Sequence, residues 1–415
     1  MHTWRGGINM KKRLFSLIAV FAFIFSLNGV PVHADGDWGT QVKVTQKDQV
    51  VDTMTFNGVT VNAYFNPYEQ DDLSRVCTEL VDRFYWEVYG DRAQDLVFIR
   101  TDTPAVGDWA TSGGHDAIVK AVNGNRYTLF EQNYWYMNRK DNIALKGRVT
   151  TGTSEFVYYH PIFRQEAEQV EAFVTRLYQL CLNREPDESG MDYWMSNLLT
   201  GKKDAAQVVY GFFFSEEMKG LKLSDEDYVE RCYSVMMDRA SDEGGKKYWV
   251  EHLENGVTRL YVVRGFVESN EFTGICKNYG VTRGSLKLTD PRDQNYGITS
   301  FVARCYTQAL GRKYDEGGLK NWVNQILYAS NRKQAAIDSA STGFFHSQEF
   351  RNKKLGNTEY VKVLYRTFLG REYDEPGLKD WVGQLKNKQK NRDQVMNGFA
   401  YSREFNEIMA SYGIQ

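Results

Sequence analysis

The residues best suited to chemistry in this chain are a cysteine and a histidine, Cys77 and His115. A helical pattern starts near Asp71 or Asp72 and puts Leu73, Val76, Leu80, Val81, Phe84 and Val88 on one face, with Cys77 in that stripe near its N-terminal end. A thiol in the first turn of a helix feels the positive end of the helix dipole, which lowers its pKa and raises the fraction of nucleophilic thiolate. The competing reading is a small buried hydrophobe, since free cysteine is among the most buried residue types.

Downstream, Pro104-Ala105-Val106-Gly107-Asp108-Trp109 reads as a turn into a strand, and Gly113-Gly114-His115-Asp116-Ala117-Ile118-Val119 opens the next strand with a histidine. Another strand runs from Tyr127 to Asn133 and ends Glu131-Gln132-Asn133. Strand side chains alternate, so His115, Ala117 and Val119 share a face, and so do Leu129, Glu131 and Asn133. A three-residue hairpin loop, Asn123-Gly124-Asn125, pairs Val122 with Arg126, Ala117 with Glu131 and His115 with Asn133. Base and orienting groups then meet. A two-residue loop, Gly124-Asn125, shifts the pairing by one and sends His115 to the opposite face.

The elements that must hold these residues lie between about residues 40 and 162, where alternating β-type segments surround one helix, an α+β pattern. The segment resembles the CHAP family, the cysteine, histidine-dependent amidohydrolases and peptidases of the papain-like class. The matching pieces are Asn57-Gly58-Val59, Cys77-Thr78-Glu79-Leu80, Arg83-Phe84-Tyr85, Tyr89-Gly90, Pro104 with Gly107-Asp108, Gly114-His115 with Ala117-Ile118-Val119, and Glu131-Gln132-Asn133. They cover roughly residues 55 to 162, after a lead segment at 35 to 54. The resemblance implies a papain-like fold in which Cys77 is the nucleophile and His115 the general base. It also implies that Glu131 or Asn133 orients the imidazole and that the Cys77 amide helps hold an oxyanion. Two positions depart from the family: Asp116 follows the histidine where an apolar residue is usual, and Val76 precedes the cysteine where Gln or Glu is frequent.

From about residue 165 the chain repeats itself. Tyr178, Arg184, Asp187, Gly190 and Trp194 recur at identical spacing as Tyr233, Arg239, Asp242, Gly245 and Trp249. They recur again as Tyr306, Arg312, Asp315, Gly318 and Trp322, and as Tyr365, Arg371, Asp374, Gly377 and Trp381. Each unit closes with Gly-Phe and Ser-x-Glu. The Tyr segment has helical period, the Asp suits an N-cap for the helix carrying Trp, and the Ser suits another. The set therefore reads as cap, turn and core anchor, over a calcium site or a sugar-stacking Trp. The units, at 165–222, 223–280, 297–356 and 357–415 with a connector at 281–296, resemble the bacterial domain-of-unknown-function family 4214. That resemblance implies all-α helical repeats on exported or surface proteins, binding a surface polysaccharide or protein.

Composition narrows the classes. With 415 residues the chain has room for two or three domains, and a net charge of −2 argues against nucleic acid as a partner. Lys11-Lys12-Arg13, the apolar run from Leu14 to Leu27 and Val32-His33-Ala34 read as a signal peptide over residues 1 to 34, with no later membrane span. Five cysteines are an odd number, so one thiol stays free; Cys232 and Cys305 are core fillers by default, and Cys181 and Cys276 could pair with each other or with these, the connectivity staying open. No Cys/His spacing suggests a metal, and no cofactor is expected. The expected function is a secreted or wall-associated cysteine amidase or endopeptidase acting on peptidoglycan stem or cross-bridge peptides. The alternative is a non-enzymatic surface or adhesion protein with a degenerate CHAP-like module.

Overall fold

Period-two segments give way to period-3.6 segments along the sequence, and the computed structural model follows them: an N-terminal α/β region with antiparallel sheets, then mostly helical repeats. The structure describes residues 40–43, 49–65, 73–112, 115–131, 143–152 and 155–414. The leader read at residues 1–34 and the orienting candidate Asn133 lie outside the described residues. Two units divide the chain, Met1–Gln94 with Arg100–Pro161, and Asp95–Ile99 with Ile162–Gln415.

The N-terminal elements are β1 (Thr40–Lys43), β2 (Gln49–Phe56), β3 (Val59–Phe65), α1 (Leu73–Tyr89), β4 (Leu96–Thr101), β5 (Trp109–Ser112) and β6 (His115–Asn123). They continue as β7 (Arg126–Phe130), β8 (Ile143–Lys146), β9 (Val149–Thr151) and β10 (Val157–Phe163). Strands β10, β5, β6, β7 and β9 lie side by side in that order, each antiparallel to the next. Between β2 and β3, Asn57-Gly58 makes a two-residue turn with φ of 49° and 81°, the left-handed pair that matches strand twist. Helix α1 buries Leu80, Val81 and Phe84, and the Phe84 ring lies 5.8 Å from Phe56 and 6.5 Å from Phe130. A separate cluster joins Ala110, Ala117, Val119, Tyr127, Leu129, Phe156 and Tyr158.

The β6–β7 hairpin corrects the expected loop. Asn123 pairs with Arg126, so the loop is the two-residue Gly124-Asn125, with Gly124 supplying φ of 61°. That register alone would separate His115 from Glu131. It does not persist: the ladder shifts between Val119 and Ala121, leaving Lys120 as the extra residue of a β-bulge, and resumes as Val119↔Leu129 and Ile118↔Phe130. Continuing the resumed register sets Glu131 beside Ala117, on the face shared by His115. Lys120 is anchored at the bulge by the buried Asp52 carboxylate, 2.6 Å from its Nζ.

In the second unit every repeated residue has a local task. The first helices, Arg164–Leu182, Asp225–Met237, Tyr296–Arg304 and Asn357–Leu364, carry the buried stripe, and the last two continue through a π-helical turn. Asp187, Asp242, Asp315 and Asp374 cap the second helices by accepting from Gly190, Gly245, Gly318 and Gly377 amides. Those glycines are required by close approach, because a Cβ on any of them would stand 2.0–2.3 Å from the hydroxyl of Tyr178, Tyr233, Tyr306 or Tyr365. Trp194, Trp249, Trp322 and Trp381 press likewise on the closing glycines 211, 265, 343 and 398. Each Arg stacks over its Tyr ring at 4.7–5.1 Å and forks onto the closing Glu, as in the Arg184 bonds of 2.7 and 3.1 Å to Glu217.

The repeats share cores in pairs. One buried cluster spans Val170 to Leu286 and includes both of the first two repeats, and a second spans Ile298 to Ile414. Within the first pair the exchange is reciprocal: Arg176 donates to the Ser234 carbonyl at 2.7 Å and Arg231 to the Cys181 carbonyl at 2.8 Å. Each arginine thereby satisfies a carbonyl at the other helix's C-terminal end. Cys181, Cys232, Cys276 and Cys305 are buried free thiols, so the open disulfide pairing resolves to none. Burial pushes Cys181, Cys276 and Cys305 up to about 12, which makes them inert at neutral pH.

Candidate active site

Helix α1 and strand β6 bring Cys77 and His115 together. Cys77 is the fifth residue of α1 and 3% exposed, so it sits beyond the first turn in which the sequence placed it. Its thiol is instead set by side-chain and backbone partners on β6: it is hydrogen-bonded to His115 and to the Asp116 backbone. Burial pushes the thiol up, and the His115 hydrogen bond, the Asp116 backbone bond and the imidazole charge together bring it below the ordinary cysteine value.

On the other side of the ring, His115 Nε2 lies 2.9 Å from Glu131 Oε2, which leaves Nδ1 for the thiol. Burial lowers the imidazole pKa, but the hydrogen bonds to Cys77 and Glu131 and the charges behind them raise it to about 9. Both shifts favour the charged forms, thiolate and imidazolium, over the neutral pair. Glu131 is 2% exposed; burial raises its carboxyl, and the His115 hydrogen bond and the Arg148 charge bring it below the ordinary glutamate value.

A residue that the sequence reading missed completes the chain. Arg148, 4% exposed, places its fork on Glu131, Nε to Oε1 and Nη2 to Oε2, both at 3.1 Å. Its third nitrogen bonds Glu155 at 3.0 Å and its plane lies 5.0 Å from the Phe156 ring centroid. The only sequence signal was Gly147 before a short strand, a turn signature with no chemistry in it.

Other matched residues do structural work. Asp116 accepts from Trp109 Nε1 at 2.9 Å, which gives this polar residue a partner where an apolar one was expected. Asp108 bonds His160 Nδ1 at 2.6 Å and the Ala105 amide at 2.8 Å, and Tyr85 donates to the Gly107 carbonyl at 2.9 Å. Gly107 has φ of 94°, and a Cβ there would stand 2.6 Å from the Phe56 ring. The Pro104–Asp108 turn thus ties α1 to β10 and packs on Phe56 of β2. The Val76 side chain and Asn133 lie outside the described residues.

The repeats carry the comparison with known proteins. Residues 161–222, 219–276, 290–352 and 340–409 match the family profile described as a domain of unknown function, DUF4214. The chain belongs to the DUF4214 family. The matched stretches contain every Tyr, Arg, Asp, Gly and Trp of the repeating pattern, so in this DUF4214 protein the pattern is the caps, close approaches and clasps described above. The CHAP resemblance of residues 55–162 has no counterpart among the family matches, and no curated protein matches the chain.

Proposed function

We propose that the N-terminal unit is a papain-like, CHAP-type cysteine amidohydrolase acting on amide bonds of peptidoglycan, with the DUF4214 repeats as the part that engages surface polymer. The observation that carries the reading is the buried sequence Cys77–His115–Glu131, in which a thiol held below its ordinary value meets an imidazole raised to about 9. Two neutral groups placed by packing alone would be pushed the other way by burial.

The chemistry runs in two steps. The Cys77 sulfur attacks the amide carbon, forming the C–S bond, and imidazolium gives its proton to the amide nitrogen as the C–N bond breaks. Water then attacks the thioester while neutral His115 takes its proton, releasing the carboxylic acid and restoring thiolate and imidazolium. Glu131 stays ionised throughout, fixing the ring and stabilising its charge. Peptidoglycan as substrate places the work outside the cytoplasmic membrane, and the signal-like pattern over residues 1–34 supports that location. Among the described residues no helix is long and apolar enough to cross a membrane.

A second reading, a degenerate module in a non-enzymatic surface protein, draws on the 3% exposure of Cys77. Zymography on purified walls separates the two. The amidase reading expects clearing by the full chain and loss of about 10³-fold or more in Cys77→Ala and His115→Ala. Equal clearing by the parent and Cys77→Ala sinks the nucleophile assignment.

A further inference from the structure

We infer that Arg148 is a positioning residue of this site: its guanidinium fork fixes the orientation and ionised state of Glu131, and through Glu131 it holds His115 ready for Cys77. The inference rests on the reading of Cys77 as nucleophile and His115 as its base.

The geometry has a direction. Glu131 offers two oxygens, both bound by one planar fork at 3.1 Å, and Oε2 also faces His115 at 2.9 Å. A carboxylate with one partner could turn about its last bond; one gripped at both oxygens cannot. Arg148 is itself held by three further constraints, burial, the Glu155 bond and the Phe156 ring. The fixed end of the chain is therefore the arginine.

Charge points the same way. Glu131 is almost wholly buried, and an isolated carboxylate there would take up a proton. Protonated Glu131 no longer stabilises imidazolium, and Cys77 then loses the cation that holds it as thiolate. Arg148 reaches the pair through Glu131, so its loss acts on the readiness of the nucleophile.

The test is iodoacetamide alkylation of Cys77 against pH in the full chain, without substrate. All five thiols are buried, but burial pushes the other four above the ordinary cysteine value while Cys77 is held below it, which isolates the signal. Arg148→Met is expected to move the ionisation limb of Cys77 upward by about one pH unit, about a tenfold fall in rate below the limb. Arg148→Lys, which keeps the charge without the fork, is expected to fall between. In a Glu131→Gln background, Arg148→Met should add no further shift, because the carboxylate through which it acts is gone.

An unmoved limb in a folded Arg148→Met chain overturns the inference, and so does an equal further shift in the Glu131→Gln background. Should Arg148→Met fail to fold, Arg148→Lys decides alone: a raised limb supports the inference and a parental limb overturns it. A raised limb in a protein that clears no wall leaves the inference standing and removes the peptidoglycan reading. Clearing with an unmoved limb does the reverse.

Discussion

At the residue scale the central pair is Cys77 and His115, and each is defined by the other. His115→Gln removes the cation beside the thiol, so burial then dominates and pushes Cys77 above its ordinary value. Alkylation of Cys77 at pH 6–7 is expected to fall by more than about tenfold in His115→Gln, at about tenfold per pKa unit. An unchanged rate would mean that the thiol is not paired. The imidazolium also sets an alkaline limit: amide hydrolysis is expected to decline as pH rises through about 9, where His115 loses the proton that the leaving amine needs. A rate that keeps rising past pH 10 contradicts that role for His115. Much of this pair was legible in the sequence, because a cysteine in an apolar helical stripe and a histidine opening a strand are both local signals. Arg148 was not. Its partner Glu131 is 17 residues away and its own neighbourhood is only a turn, so nothing in spacing could connect them.

The element that decides the site is the bulge in β6. The sequence reading took the route of a three-residue loop to bring His115 and Glu131 to one face, and the structure reaches the same pairing by a two-residue loop plus Lys120. Bulges of this kind are hard to read because an extra residue has no side-chain signature; here the Lys120–Asp52 contact, between residues 68 apart in sequence, accompanies it. The repeats lie at the other extreme. Their caps were readable since Asp-x-x-Gly and Ser-x-Glu act within one helical turn. What sequence could not show is why glycine ends the cap. In the second repeat Gly245→Ala would place a Cβ 2.1 Å from the Tyr233 hydroxyl, and urea unfolding is expected to show a loss of about 1–3 kcal/mol despite alanine's better helix propensity. Tyr233→Phe in the same chain should return much of it, since the nearest remaining ring atom is 3.2 Å away. A Gly245→Ala chain as stable as the parent would remove the steric account of the repeated glycine.

At the scale of the molecule the repeats are two doublets, each with its own core, joined through the segment following residue 280. Four copies of a motif read from sequence suggest four equal units; the pairing depends on which faces are buried together, and that is a long-range property. Phe266→Ala empties a fully buried ring site in the first doublet, at a cost of about 3–5 kcal/mol. Hydrogen exchange should then quicken across residues 170–286 and leave 298–414 nearly unchanged. Acceleration confined to the second repeat, or equal in all four, contradicts the doublet. The repeats belong to a family with no assigned activity, so the functional claim stands on the N-terminal unit. Its most direct test is digestion of purified peptidoglycan in ¹⁸O-labelled water, followed by mass spectrometry of the fragments. Hydrolysis through Cys77 predicts one labelled oxygen in each new carboxyl group, one new amine for each, and neither product with Cys77→Ala. Release of the same labelled fragments by Cys77→Ala, or no release by the parent, contradicts the account.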